Sequence, residues 1–507
     1  MTVKDGAAHI KSLRDGREVY LDGKLVEDVT THPAFRNAVA SAARLYDFQA
    51  DPANQELMTF ESPTSKGTRV NRAWLKAGSY DDLVSRRKAM TAWAEQHYGF
   101  MGRSPDHVAS AVTGQVIGLD VFEKHGPKYA KAYDEYHAYA RDNDLFLTYV
   151  IINPQANRAK AWGEQAGEDM TLHIVDEDTT GVTVRGAKML GTSSIMANEV
   201  FVANLQPLKS DEERFAISFA MPMATKGMKV LSRKSFEAAA VSEFDNPIST
   251  HFDENDALVY FDDVKVPWDR IFVFKDPDMC RAQFHDTPGH VYQNYQSQVR
   301  LVVKLKFMLG VARRIAETIG TISIPSVVET LGWMASEVSV VEGMLHGMES
   351  NGVQRGQYFS PRPSQLYAAQ IYTQDLYPRF VHEIRELAGG SLIMLPSSEA
   401  DFDNPELAKV IEKTQISSRE GETAQDRVKF LKLAWDILGS EYAGRHTQYE
   451  MFYAGARFVT CGHSFRTFGW DECNDLLESA LSSYGSNRDP RKGEPGAKTG
   501  GESAAAE

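Results

Sequence analysis

The sequence predicts an α+β protein with an N-terminal helical region, a small central β-domain and a C-terminal helical bundle. Three observations point there. Apolar residues recur at helical spacing up to about residue 145. Between about 146 and 275, short β-branched and aromatic runs are separated by Gly, Asp, Asn and Pro turns. From about 276 to 485 the helical spacing returns. Strands kept apart from helices along a chain indicate α+β rather than alternating α/β architecture. The expected divisions are therefore 1–145, 146–275 and 276–485, with a tail over 486–507.

Taken in order, Asp82–Tyr98 sets Leu83, Met90, Trp93 and Ala94 on one face and predicts a helix. Asp120–Asp142, rich in Tyr and Ala, predicts a second. Gly99, Gly102 and Pro105 mark a break between them. Leu145–Ile152, closed by Asn153 and Pro154, reads as a buried strand. Thr171–Val175, Val182–Val184, Val200–Val202, Phe215–Phe219 and Asp256–Val264 read as further strands of a small sandwich or barrel. Helices are expected over Tyr292–Ile319, Ile324–Gly347, Gln365–Leu387 and Ala424–Tyr453, together an antiparallel bundle. Ser486–Glu507 has no apolar periodicity and reads as a disordered tail. This layout resembles the acyl-CoA dehydrogenase type of flavoprotein, which by itself does not fix function.

Composition narrows the function classes. The 507 residues are 42% hydrophobic and 24% charged, as in a globular protein, and the formal net charge is -14. An acidic chain repels phosphate backbones, so no nucleic-acid partner is expected. Cys280, Cys461 and Cys473 are odd in number and show no CxxC spacing, which predicts reduced thiols, a cytoplasmic protein and no zinc site. The N-terminal stretch lacks the apolar segment of a signal peptide. The most apolar helix-like run, Leu301–Gly320, is interrupted by Lys304, Lys306, Arg313 and Arg314, so no membrane span is expected.

No GxGxxG follows a strand, and GxxxxGK[ST] and HExxH do not occur. A redox cofactor must therefore be held in another way, nicotinamide must be used by a different protein, and no metal site is expected. Arg103 stands at the break, and His107 lies four positions on. A helix started by Ser104 as N-cap and Pro105 at its first position would aim both at one cavity. A permanent cation stabilises an anion, and an imidazole moves protons near neutral pH. The same spacing also fits an Arg paired with Asp106 and a histidine packed at a helix start. Tyr149, ending a strand before Gln155, Ala156, Asn157 and Arg158, offers a hydroxyl near several polar groups, or is a core tyrosine beside a polar loop. Gly186–Ser194 places small hydroxylated residues after a strand, where a flat ring can approach or a plain turn can sit. Gly389 and Gly390 could direct backbone N–H groups at a pyrophosphate, or cap a helix.

Several blocks in order carry a more specific signal: SLRDGREVYLDG, VTTHPAFRN, YGFMGRSPDH, LTYVIINPQANR, GAKMLGTSSIMANE, FAMPMATKGMKVLSR, FDDVKVPWDRIF, YPRFVHEIRELAGGSLIMLPS and GSEYAGRHTQYEMFYAGA. Together they resemble the 4-hydroxyphenylacetate 3-hydroxylase family, oxygenase component, over all but the tail. The resemblance implies an acyl-CoA dehydrogenase-like fold, a homotetramer built as a dimer of dimers, and reduced FAD delivered by a separate NADH-dependent flavin reductase. It also implies dioxygen as co-substrate, a flavin C(4a)-hydroperoxide, and ortho-hydroxylation of a phenol to a catechol. Arg103 matches the family's phenol-binding arginine. The family usually has Tyr where this chain has His107, and His where it has Tyr149. Those three are the implied catalytic and substrate-binding residues, with Asn204 and Leu205 on a loop that closes over substrate. Tyr149, Val150, Ile151 and the Gln155–Arg158 turn match flavin contacts, Thr192 a residue near flavin N5, and Gly389, Gly390, Gly455 and Ala456 weaker pyrophosphate or ribose contacts. The exchanged His and Tyr leave open another ring as substrate, such as an aminoaromatic, an N-heterocycle or a halo- or nitrophenol. A non-catalytic flavin-binding protein is the third reading.

Overall fold

The computed structural model describes residues 3–154, 156–165 and 167–484. The predicted tail over 486–507 and Gln155 lie outside the described residues.

Helices dominate up to residue 142, strands follow to residue 274, and helices return to residue 482. The helix–strand–helix α+β layout expected from the sequence is thus present. The described strands form two larger sheets and two isolated pairs, Thr59–Glu61 with Arg69–Asn71 and Val353–Arg355 with Tyr358–Ser360. The six-stranded sheet runs Lys24–Val26, Glu18–Leu21, Met228–Ser232, Ala257–Pro267, Gly181–Lys188 and His173–Asp178. The four-stranded sheet runs Ile271–Phe274, Ile217–Pro222, Glu199–Val202 and Leu147–Val150. Val182, Val259 and Val264 of the first share a core with Val200 and Phe219 of the second. Phe219 meets Phe261 edge to face at 5.9 Å, which joins the sheets. The N-terminal hairpin belongs to this sheet as well: Val19 pairs in parallel with Val230. A purely helical N-terminal region is therefore incomplete, because two short strands there complete the larger sheet.

Two predicted helices are each two. Asp120–Asp142 is Leu119–His125 followed by Pro127–Asp142, since Gly126 leaves helical geometry and Pro127 starts a new first turn. Ala424–Tyr453 is Ala424–Leu438 followed by Glu441–Phe452, with Gly439 and the N-cap Ser440 between them. The remaining long helices are Gly289–Thr318, Pro325–Ser350 and Pro363–Ala388. Gly289–Thr318 is buried along most of its first half and packs against Pro105–Ile117. A Cβ on Gly114 would sit 2.7 Å from the Pro288 carbonyl oxygen, so glycine lets these two helices touch. That contact places the start of one helix against polar side chains of the other.

Candidate active site

Pro105 starts the Pro105–Ile117 helix, as its fixed φ favours. Ser104 precedes it but makes no side-chain cap bond. Its hydroxyl instead donates to Asp106 Oδ1 at 2.5 Å. The expected N-cap bond, in which Oγ would accept from a backbone N–H, is therefore absent, and the hydroxyl is turned to the Asp106 carboxylate instead.

Arg103 is held just outside this helix. Its backbone N–H donates to Glu254 Oε1 at 2.5 Å, and its carbonyl accepts from Ser193 Oγ at 3.1 Å. Its guanidinium is buried between the rings of Tyr149 and Tyr449, each 5.2 Å away. Nη1 donates to His107 Nε2 at 2.6 Å, and Nη2 reaches the Tyr453 carbonyl at 3.4 Å. His107 stacks on Tyr149 with centroids 5.7 Å apart. Burial, then the neighbouring Arg103, push the imidazole pKa well below its ordinary value, so His107 is neutral. Arg103 stays charged, since Tyr149, Tyr449 and Glu254 more than offset the effect of burial. The predicted trio is thus brought together, with Arg103 and His107 buried and Tyr149 half-buried against them.

Around it lies a network that the sequence reading did not single out. Arg445 binds Glu254 at 2.9 Å and Asp256 at 2.7 Å. Glu450 pairs with Arg300 and, at 3.0 Å, with Lys304. The Tyr449 ring lies 5.0 Å from the Arg445 guanidinium and 5.5 Å from that of Arg300. Gly102 allows this, because a Cβ there would lie 2.4 Å from the Tyr449 hydroxyl. Two signals in the sequence could have shown it. Arg445 and Tyr449, and His446 and Glu450, are i, i+4 pairs on one short helix. Gln293, Gln296, Arg300 and Lys304 form a polar stripe on an otherwise buried helix.

The other expected residues fall into three groups. Thr192 is next to Ser193, beside the Arg103 backbone, and its hydroxyl donates to Asp256 Oδ1 at 2.7 Å. Val150 and Ile151 adjoin Asn204 and Leu205: the Ala203 N–H donates to the Val150 carbonyl at 3.3 Å. Gly455 and Ala456 follow Tyr453, and Gln374 holds the Gly455 carbonyl at 2.8 Å. Ala156, Asn157 and Arg158 lie in an exposed turn stabilised by Gln165, which donates to the Asn157 carbonyl at 2.9 Å. Gly389 and Gly390 sit exposed at the end of the Pro363–Ala388 helix, with Gly389 at φ 52° as its C-cap. No contact among the described residues ties them to Arg103.

Groups suited to a flavin converge near the strand ends. The amides of Asn153 and Asn204 are buried, and neither atom of either has a partner among the described residues. The same holds for Lys188 Nζ, which burial brings down to about 7. Orphaned donors and acceptors of this kind fit the carbonyl and imino edge of an isoalloxazine ring, so the residues present fit FAD. Among the described residues no group of His, Cys, Asp and Glu is arranged to hold a metal ion. No described helix is long and apolar enough to cross a membrane.

Comparison with known proteins agrees with this geometry. The model of the 4-hydroxyphenylacetate 3-hydroxylase N-terminal region matches residues 5–273, and that of the C-terminal region matches 280–482. The chain is 34% identical to the 4-hydroxyphenylacetate 3-monooxygenase oxygenase component of Geobacillus sp. (strain PA-9), over 90% of this chain and 92% of that protein. It is also 34% identical to the 4-nitrophenol 2-monooxygenase oxygenase component of a Rhodococcus species, over 94% and 92%. A crystal structure of a 4-hydroxyphenylacetate 3-monooxygenase oxygenase component with FAD and 4-hydroxyphenylacetate superposes with a TM-score of 0.89 at 30% identity, covering 95% of this chain and 98% of that one.

Proposed function

Because the chain belongs to the 4-hydroxyphenylacetate 3-hydroxylase family and is an FAD-dependent aromatic monooxygenase, we propose that it ortho-hydroxylates a phenol bound as the phenolate at Arg103. It is the oxygenase component, so a separate reductase supplies its reduced flavin. The observation that carries the proposal is a contrast in pairing. Arg300, Lys304 and Arg445 each have a carboxylate partner, whereas among the described residues the buried Arg103 guanidinium has none. Its charge is offset only by the more distant Glu254 and the flanking tyrosines, and no carboxylate forms an ion pair with it, so the site favours an anionic ligand placed directly against the guanidinium.

Arg103 lowers the pKa of a phenol placed against it and holds the oxygen once ionised. The ionised oxygen enriches the ortho carbon in electrons. Tyr149 and Tyr449, both half-buried, form the aromatic walls over the buried Arg103 and His107 and limit access of water to them. Reduced FAD, when bound, supplies an electrophilic oxygen atom drawn from dioxygen. Asn153, Asn204 and Thr192 are the groups we assign to orienting its ring, and Val150, Ile151, Ala156, Asn157, Arg158, Gly455 and Ala456 to its further contacts. Gly389 and Gly390, remote from Arg103 and exposed, fit a cofactor contact across a subunit boundary.

The unpaired Arg103 also ranks the alternative substrates. A halo- or nitrophenol ionises readily and satisfies the guanidinium. An aminoaromatic or a neutral N-heterocycle leaves it unpaired. We further propose a homotetramer, supported by the apolar side chains of Phe465, Phe468, Trp470, Leu476 and Leu477, all exposed on the helices Arg457–Thr467 and Trp470–Ser482 and the link between them. A cytoplasmic location and an NADH-dependent reductase complete the reading, the former supported by three free cysteines. The test is incubation with reduced FAD, dioxygen and a panel containing 4-hydroxyphenylacetate, 4-nitrophenol, a chlorophenol and an aminoaromatic, with products identified by mass. Catechol from the phenols alone is expected. Product from the aminoaromatic but from no phenol would refute it.

A further inference from the structure

His107 stands where a proton acceptor for the substrate is expected, but its ring nitrogens are both committed. Gln296, projecting from the Gly289–Thr318 helix, decides how. Its Nε2 donates to Asp106 Oδ1 at 3.0 Å and lies 3.3 Å from Ser104 Oγ. Ser104 already donates its own proton to Asp106. A carboxylate only accepts, so the amide nitrogen must face Asp106 and the amide oxygen must face away. That oxygen lies 2.8 Å from His107 Nδ1. An amide oxygen also only accepts, so Nδ1 carries the proton. Nε2 is left as a lone pair; it accepts from Arg103 Nη1 at 2.6 Å, nearer than the 3.3 Å between the same Nη1 and Nδ1, and from Gln293 Nε2 at 3.1 Å. Asp106, His107 and Gln296 are all buried, so water cannot replace any of these bonds cheaply.

We propose that Gln296, oriented by Asp106, is a positioning residue that fixes the Nδ1–H tautomer of His107 and thereby aims the Arg103 guanidinium at its ligand. The direction of the chain matters. Asp106 sets the amide, the amide sets the imidazole, and the imidazole orients the cation. His107 is then an acceptor for Arg103 and takes no proton from the substrate. Reversing the amide would leave Nε2 protonated and pointing at Arg103, donor against donor. This inference rests on the reading of Arg103 as a phenolate anchor.

The test replaces the amide in two ways. Gln296→Met keeps the length and removes both hydrogen bonds. The double variant Asp106→Asn/Gln296→Glu exchanges amide and carboxylate, so that an acceptor still faces His107 Nδ1. The probe is 4-nitrophenol, whose phenolate is yellow, bound to the FAD-loaded enzyme. Histidine ring 15N NMR, with His107 assigned from His107→Asn, reads the tautomer without any substrate. Gln296→Met should weaken phenolate binding about tenfold, as for a lost hydrogen bond in a charged buried chain, and convert the pure Nδ1–H signature to a mixture. The exchanged pair should restore both. The proposal is overturned if Gln296→Met leaves affinity and ring signature as in the wild type. It is equally overturned if the exchanged pair folds normally and restores neither. Should Gln296→Met not fold, Asp106→Leu frees the amide to turn over and gives the same comparison. If the wild type does not bind 4-nitrophenol, the phenolate reading falls, while the ring signature still decides the tautomer.

Discussion

Two clusters of buried charge share the Tyr449 ring and are built on opposite principles. On one side, Glu450 neutralises Arg300 and Lys304. On the other, Arg103 is surrounded by an imidazole, a backbone carbonyl and two phenol rings. The first cluster is complete within the chain and holds the Glu441–Phe452 helix against Gly289–Thr318. The second has no carboxylate ion pair among the described residues and, on the proposed function, is completed by an anion from outside. Burial alone does not separate structural charge from functional charge. Whether the counter-ion comes from the chain does.

The contrast breaks most visibly at Glu450. Glu450→Gln strands two buried cations, and the expected loss is about 3–5 kcal/mol of stability. Denaturant unfolding measures it. Arg103→Leu should behave in the reverse manner. It removes a buried charge that has no carboxylate partner, so the unfolding midpoint should hold or rise. Turnover of a phenol should fall by about 10²–10³, as when one stabilising donor to a developing oxyanion is lost. If Arg103→Leu instead destabilises as much as Glu450→Gln, the two clusters are the same kind and the distinction fails.

The carboxylates sharpen the comparison through pH. Glu450 is drawn down to about 2, with burial opposing and Arg300 and Lys304 prevailing. Its stabilising contribution is therefore present at neutral pH and lost as pH falls from its ordinary value through about 2. Asp106 is pushed up to about 6, chiefly by burial. Its contribution runs the other way, fully present below its ordinary value and lost as pH rises through about 6. From 3.8 to about 6 corresponds to about 3 kcal/mol. Asp106→Asn should remove the part of the stability profile between about pH 4 and 6 that falls with rising pH, leaving the acid limb due to Glu450. A profile unchanged by Asp106→Asn would contradict the burial argument.

How much of this was legible follows from the range of each contact. Pro105 after Gly102 announces the helix start, and the i, i+4 spacing joins Arg103 to His107, because both signals are local. Gly126–Pro127 and Gly439 are also local, yet the Tyr- and Ala-rich periodicity around them runs on unbroken and hides the helix ends. The partners that give the site its meaning are distant. Glu254 meets Arg103 across 151 positions and Tyr453 across 350. No period or spacing encodes such contacts. Residue blocks matched to a family carry them only indirectly, by bringing Arg103, Thr192 and Gly455 into one expectation. Even that route assigns Gln296 no role, since its role depends on the histidine that departs from the family pattern.

The smallest effect on the fold is expected where neither cluster reaches. Arg457–Thr467 rests on the bundle through Thr460 and His463, but every residue of Trp470–Ser482 is exposed. Leu476 and Leu477 together present an apolar face that no described residue covers. A surface substitution of this kind changes monomer stability by no more than about 0.5 kcal/mol. Leu477→Asp should therefore leave unfolding and the Arg103 site intact while shifting the sedimentation velocity toward smaller species. If Gly389 and Gly390 reach cofactor only across a subunit boundary, the same variant should also bind FAD less tightly, with phenolate affinity of the FAD-saturated enzyme unchanged. Dissociation without any loss of FAD affinity would place the whole cofactor site within one chain, and would confine the counter-ion argument to that chain.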